Sequence, residues 1–193
     1  MKYAKDKLNL EEGTKRDWII TNGLGGYASS TIIGANTRKY HGLLVAPLTP
    51  PARRYLILSK IDESIETNGK KYNLYTNMCK NYISNGYKYL ESFEKDYIPT
   101  FEYKVDGINI KKSICMEYGK NTVVILYKIK NNKRRFTWKW LSCNIWFGEN
   151  KWNNSVEICV KITYEMAGIS CTCRNNKDKN SDLCIIYNGG RSR

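Results

Sequence analysis

The sequence has a single histidine, few acidic residues and no long apolar run. With His41 as the one imidazole, a zinc site would have to use cysteines, and Cys171, Cys173 and Cys184 lack paired C-x-x-C spacing. No stretch reaches the roughly 18 apolar residues of a membrane-spanning helix, and the N-terminus has no apolar signal-peptide core. We therefore predict no metal site, no cofactor, no targeting segment and no membrane partner.

The shortage of acidic residues gives the chain a formal net charge of +14, from 32 Lys and Arg against 18 Asp and Glu. A charge of this size is typical of proteins that bind nucleic acid. Here, however, the lysines stand singly among Tyr, Asn and Ile, and an AT-rich genome enriches the same four residue types. Nucleic acid is therefore not the partner that we expect.

The seven cysteines are odd in number and have no disulfide-framework spacing. Reduced thiols explain them better than disulfides, so we predict a cytoplasmic protein. At 193 residues, the chain is long enough for one sizeable domain or for one domain with an extension.

A helical period of useful length is also missing, whereas short apolar and β-branched segments recur. Predicted strands of this kind cover residues 18–21, 30–33, 43–46 and 55–61. Two hairpins are predicted at Asn68-Gly69 and Asp106-Gly107, because these dipeptides tolerate positive φ at both turn positions. The sequence therefore predicts an all-β fold in which antiparallel sheets pack as a β-sandwich of the supersandwich kind.

Aromatic residues recur between residues 78 and 99 without a stable period. They are Tyr82, Tyr87, Tyr89 and Phe93. One interpretation is a long aromatic loop that covers a sheet. The other is a surface on which sugar rings stack, since aromatic faces suit the C–H faces of pyranoses. We favour the first interpretation.

The segment from Asp17 to Ala46 combines a glycine-rich turn with the polar run Asn-Thr-Arg-Lys-Tyr-His. The turn satisfies the G-x-G-x-x-A pattern of dinucleotide-binding loops, which requires a helix directly after it. The residues that follow are SSTIIGANT, which are β-branched and interrupted by Gly34. We therefore reject a dinucleotide site.

His41 and Arg38 are the reactive side chains of this segment. His41 could act as a metal ligand or a general base, but no nucleophile elbow accompanies it. A structural or substrate-contacting histidine is the interpretation that we prefer. The simplest role for Arg38 is a solvated charge at a strand end.

Two motifs in this segment resemble a known family. They are W-I-I-T-N-G-L-G-G-Y-A-S-S-T and G-A-N-T-R-K-Y-H-G-L-L-V-A, and the likeness continues through LILSKIDE, GYKYLESFEKDYIPTFEY and EYGKNTVVILYKI. Together they resemble the N-terminal domain of bacterial and archaeal glycogen debranching enzymes of the amylo-alpha-1,6-glucosidase type. The resemblance covers roughly residues 16 to 131.

This resemblance implies a β-sandwich that precedes a helical (α/α)-barrel, in which the barrel carries the catalytic carboxylates of a glycoside hydrolase. We accordingly predict no catalytic residue here, because Asp62 and Glu63 are adjacent strand residues that point to opposite faces. The implied partners are a glycogen-like α-glucan and the barrel domain, normally in the same polypeptide. Whether the chain alone is an enzyme stays open.

The resemblance also implies the residues of a non-catalytic site. Residues expected near the sugar cleft or the domain interface are Asn36, Arg38, Tyr40 and His41, and those expected to shape a tight loop are Gly23, Gly25 and Gly26. The alternative function is a stand-alone carbohydrate-binding module that uses the aromatic region as its platform.

The predicted domain boundaries are 1–131 for the debranching-enzyme-type β domain and 132–193 for a divergent tail. The tail is rich in Trp and Cys and departs from the family pattern. It either adds the remaining sandwich strands or is a frameshifted sequence, in which case the sandwich would be incomplete at its C-terminus. The departure favours a frameshifted or truncated product.

Overall fold

The structure, a computed structural model, describes residues 1–131, 138–147, 156–164 and 170–174. Strands make up most of this part of the chain. In chain order they are β1 (Lys2–Ala4), β2 (Asp17–Thr21), β3 (Tyr27–Thr31), β4 (Gly42–Thr49), β5 (Ala52–Thr67), β6 (Lys70–Asn73), β7 (Met78–Cys79), β8 (Tyr82–Ile83), β9 (Leu90–Lys95), β10 (Pro99–Val105), β11 (Ile108–Met116), β12 (Asn121–Asn131), β13 (Trp138–Phe147), β14 (Val156–Tyr164) and β15 (Ser170–Arg174).

Helical structure within the described ranges is short. Helix α1 (Leu10–Gly13) begins at Asn9, whose side chain accepts a hydrogen bond from the backbone N–H of Glu12 at 2.9 Å. Two 3₁₀ turns cover Lys5–Lys7 and Gly86–Tyr89. None of these helices is long and apolar enough to cross a membrane.

The strands form two large sheets and one small hairpin. The seven-stranded sheet has the order β1-β9-β10-β11-β12-β14-β15, and the six-stranded sheet has the order β13-β5-β4-β3-β2, with β6 added beside β5. Within the described part of the chain, all pairs are antiparallel except β12 with β14. Among the described strands, β7 and β8 pair only with each other. The predicted all-β sandwich is thus confirmed, with one parallel pair that the sequence did not predict.

Both predicted hairpins are confirmed. Asn68 and Gly69 have φ values of 49° and 71°, and they connect β5 to β6. Asp106 and Gly107 have φ values of 46° and 80°, and they connect β10 to β11. Positive φ at both central positions matches the right-handed twist of the flanking strands.

The core lies between the two large sheets and is built on aromatic rings. Trp18 from β2 contacts Phe101 from β10 edge to face, with ring centroids 6.2 Å apart. Phe93 from β9 packs against the same ring at 4.8 Å. All three side chains are almost completely buried. Along β10, the inward-facing Phe101, Tyr103 and Val105 alternate with exposed residues. Burial of this apolar surface is the main force that holds the sheets together.

The region between residues 78 and 99 differs from the favoured prediction of a long loop. Its second half is β9, a strand between β1 and β10. Leu90 and Phe93 are both fully buried although they are three positions apart, because the register with β10 shifts at Glu102/Tyr103. A bulge of this kind breaks the two-residue alternation by which strands are recognised.

The predicted tail contributes three described strands. β13 pairs with β5, β14 pairs with β12, and β15 pairs with β14. The rest of the tail lies outside the described residues, so the boundary at residue 131 and the choice between native and frameshifted sequence stay predictions.

Candidate functional site

A polar loop, residues 36–41, connects β3 to β4 and reaches back to edge strand β2. The Nε of Arg38 donates to Oδ2 of Asp17 at 2.6 Å, across 21 positions of sequence. The Arg38 side chain keeps 42% of its surface exposed in this ion pair. The pair holds the loop against the first residue of β2 and leaves much of the guanidinium accessible.

The buried side chain of His41 anchors the polar loop. Its Nδ1 accepts hydrogen bonds from the backbone N–H groups of Thr37 and Arg38, at 3.1 and 3.4 Å. Its Nε2 lies 3.4 Å from Oδ1 of Asp17, and the side chain has no exposed surface. Because Nδ1 is an acceptor, the neutral ring must carry its proton on Nε2. Both nitrogens therefore face protein groups, so the imidazole has no direct access to a substrate.

Burial lowers the pKa of His41, and the nearby Arg38 adds to this effect, whereas Asp17 opposes it. The folded protein thus disfavours the imidazolium, and the unfolded chain takes up the proton first, near the ordinary histidine pKa of about 6.5. The contribution of neutral His41 to stability is complete above that pH and is lost as the pH falls below it.

We expect the free energy of unfolding to fall when the pH is lowered from about 7.5 to about 5.5, because His41 is the histidine that titrates there. Urea denaturation at several pH values measures this dependence. His41→Asn keeps an acceptor near Nδ1 without titrating, so it should flatten the curve. An equal slope in the variant and the wild type would contradict the assignment.

The other two predicted residues of the polar loop have different environments. Asn36 is partly buried, accepts from Oγ of Ser30 at 2.8 Å and donates to the carbonyl oxygen of Ser59 at 3.0 Å. It therefore connects β3 to β5. Tyr40 is 53% exposed, and its ring contacts His41 edge to face at 5.3 Å. Its carbonyl oxygen accepts from the hydroxyl of Tyr27 at 3.1 Å. Arg38 and Tyr40 are thus the two members of the predicted set with accessible side chains.

The glycine loop, residues 22–26, lies at the other end of β2. Gly23 and Gly25 have φ values of 79° and 91°, a conformation that side chains disfavour. Gly26 packs so closely on Asn22 that a Cβ would lie 2.6 Å from the Asn22 Nδ2. The loop leads into strand β3 and not into a helix, which agrees with the rejection of a dinucleotide site.

Asn22, which is not among the predicted site residues, organises the glycine loop. Its Oδ1 accepts from the backbone N–H groups of Leu24 and Gly26, at 3.0 and 2.9 Å. Its Nδ2 donates to the carbonyl oxygen of Lys120 at 2.8 Å and to Oδ1 of Asn121 at 3.1 Å. The side chain is fully buried and joins the glycine loop to the β11–β12 turn of the opposite sheet.

Asp17, the first residue of the segment from Asp17 to Ala46, is also absent from the predicted site residues. Its carboxylate faces Arg38 with one oxygen and His41 with the other. The position of an acid directly before the strand-like WIIT gave a signal for Asp17. The Asn that precedes the glycines gave one for Asn22.

The four aromatic residues considered as a sugar platform do not share one surface. Phe93 lies in the core, and Tyr87 and Tyr89 pack against it. The ring of Tyr89 also contacts Tyr72 edge to face at 5.7 Å. Tyr82 alone among the four is exposed, at 54%.

Asp62 and Glu63, the adjacent acids of β5, are both buried in separate polar clusters. Asp62 accepts from Nδ2 of Asn77 at 2.8 Å and lies 3.3 Å from Nζ of Lys60. Oε1 of Glu63 accepts from Nζ of Lys112 and from the hydroxyl of Tyr127. The two carboxylates therefore do not converge on a common reacting atom.

Burial shifts the pKa values of two groups around these acids. It lowers the pKa of the Lys60 ammonium, while the carboxylates of Asp62 and Glu63 oppose that shift. Burial and the charge of Glu63 together raise the pKa of Tyr103 well above its ordinary value. A cavity of about 20 Å³ lies among Lys60, Glu63 and Lys112, which is room for one water molecule and far too little for a sugar ring.

The fold and the polar loop define a class of protein, a β-sandwich domain with an exposed arginine and an exposed tyrosine on a loop that is bonded to an edge strand. A comparison with protein-family models matches residues 16–141, about two-thirds of the chain, to the family described as glycogen debranching enzyme N terminal. The chain belongs to this family. The match passes residue 131 and ends within β13. Searches of curated proteins and of solved structures gave no match.

Proposed function

We propose that the chain acts as the N-terminal, non-catalytic domain of an α-glucan-debranching enzyme. In this proposal a helical-barrel domain of the same polypeptide hydrolyses the α-1,6 branch points, and the sandwich domain supports it. Membership of the debranching-enzyme N-terminal family favours this role. A glycosidase needs two carboxyl groups that flank the scissile bond, and the adjacent acids of β5 are buried with separate partners. The cytoplasmic location stays a prediction.

The observation that carries the proposal is the construction of the polar loop. Its exposed members are Arg38 and Tyr40, which are side chains typical of interface centres and able to bind hydroxyl-rich ligands. Buried His41 and the Asp17–Arg38 pair fix the loop to the sheet. Because buried contacts hold the loop in place while Arg38 and Tyr40 are exposed, the loop is pre-organised for contact with the barrel or with the glucan.

We expect Arg38→Ala and Tyr40→Ala, each made in the complete debranching enzyme, to lower kcat/KM for branched glucan about tenfold, because each removes a pre-organised contact. Melting temperatures should change little, since Arg38 is 42% exposed and ion pairs in contact with solvent contribute little to stability. Steady-state kinetics on a branched limit dextrin and thermal melts provide the two readouts.

Lys39→Ala is the matched control for this experiment, because Lys39 is an exposed cation of the same loop. It should leave both readouts unchanged. His41→Ala should lower both, since its buried ring supports the loop. Unchanged kinetics in the Arg38 and Tyr40 variants, at unchanged melting temperatures, would contradict the proposed role.

A further inference from the structure

The glycine loop packs against one side of an exposed aromatic ring. Tyr118, at the tip of the β11–β12 turn, is 86% exposed. A Cβ placed on Gly23 would lie 2.5 Å from Cε2 and 2.9 Å from Cζ of this ring. Only a residue without a side chain allows the backbone to approach the ring so closely. One side of the ring therefore rests on Gly23, while most of its surface remains open to solvent.

The turn that carries Tyr118 is fixed to the glycine loop by its backbone. The N–H of Gly119 donates to the carbonyl oxygen of Asn22 at 2.7 Å. The Asn22 side chain adds the bond to the carbonyl oxygen of Lys120. Both bonds are made by the two residues directly after Tyr118, so contacts with the glycine loop, and not the turn alone, fix the backbone that carries the ring.

An exposed arginine borders the same loop. Nε of Arg54 donates to the carbonyl oxygen of Gly25 at 2.7 Å. A guanidinium has five N–H donors, and this bond employs one of them. The glycine loop thus contacts the Tyr118 ring at Gly23 and the Arg54 guanidinium at Gly25.

We infer that Tyr118 and the glycine loop form a subsite for one glucose unit of an α-glucan, an inference that takes its substrate class from the proposed function. The C–H groups of a pyranose pack on the electron-rich face of a tyrosine ring, and the Arg54 guanidinium donates to the hydroxyls at the ring edge. The subsite is separate from the Arg38–Tyr40 surface, since it lies where β2 ends and the Asp17 contact lies where β2 begins.

The test is native electrophoresis of the 193-residue chain through gels that contain increasing glycogen. The wild-type chain should be retarded, and Tyr118→Ala should raise the dissociation constant about tenfold, as expected for the loss of one stacked ring. Tyr118→Phe should bind within about twofold of the wild type, because it keeps the ring. Tyr97→Ala is the matched control, since Tyr97 is 85% exposed on another turn.

A second variant tests the contact between Gly23 and the Tyr118 ring. Gly23→Ala should displace Tyr118 and weaken retardation, whereas the same change in the Tyr118→Ala background should add nothing to the loss. The inference is overturned if the wild-type chain is not retarded, if Tyr118→Ala binds as the wild type does, or if Tyr97→Ala loses as much.

The outcome is separable from that of the proposed function. If glycogen binding does not depend on Tyr118 but Arg38→Ala still lowers turnover, only the subsite inference is refuted. Retardation that depends on Tyr118, together with turnover that is indifferent to Arg38 and Tyr40, would support the subsite and remove the proposed role of the polar loop.

Discussion

Glu63→Ala is expected to lower the free energy of unfolding by about 3–5 kcal/mol, because it leaves the buried Lys112 ammonium without its carboxylate. Glu63 and Lys112 are 3% and 8% exposed, so the ammonium has little contact with bulk solvent that could offset the lost carboxylate. The Tyr127 hydroxyl loses its acceptor on Glu63 at the same time. Urea denaturation followed by circular dichroism measures the change.

A charge-free replacement distinguishes a broken pair from a damaged core. The triple change Glu63→Leu, Lys112→Met and Tyr127→Phe removes every member of the cluster together. Buried ion pairs are often replaced by apolar residues at little cost, so this variant should be far more stable than Glu63→Ala. A loss below about 1 kcal/mol in Glu63→Ala would show that the pair is not desolvated as the structure places it.

Asn22→Ala should cost about 2–4 kcal/mol, because it removes a buried side chain that makes four hydrogen bonds. The backbone groups of Leu24, Gly26 and Lys120 each lose the Asn22 partner on which they rely. The glycine loop should also open locally, which limited proteolysis between residues 22 and 26 would detect.

Asn85→Ala is the control for this second prediction. Asn85 is exposed and makes no side-chain capping bond to the 3₁₀ turn that follows it. Its removal should change stability by less than about 0.5 kcal/mol. If the two asparagine variants were equally stable, Asn22 would not be the residue that joins the two sheets at this end.

The hairpins were predictable because their determinants are local. Asn68-Gly69 and Asp106-Gly107 adopt positive φ wherever they connect two strands, so two adjacent residues decide the geometry. β9 was not predictable in the same way. Leu90 and Phe93 both face inward because a bulge shifts the register between β9 and β10. No short window of sequence contains both strands, so the bulge could not be predicted from local pattern.

The candidate site also has features that follow from local sequence and features that depend on distant contacts. A tight turn at the glycines follows from residue type, but the Asp17–Arg38 contact depends on how β2 and the polar loop meet across 21 positions. Burial of His41 was also beyond the sequence, because a histidine between Tyr40 and Gly42 suits a surface or a core equally well. The structure decides the matter through the two backbone donors that meet its Nδ1.

The pairing of β1 with β9 affects the order in which the protein can assemble during synthesis. The N–H of Lys95 donates to the carbonyl oxygen of Met1, and these residues are 94 positions apart. Ribosomes add about 5–20 residues per second, so β1 waits for roughly 5–20 s before β9 exists. In that interval the segment KYAKDK, with its charged side chains, remains hydrated and resists premature pairing. Once β9 exists, Lys2 and Lys5 of the same segment pair with its Glu94 and Glu91.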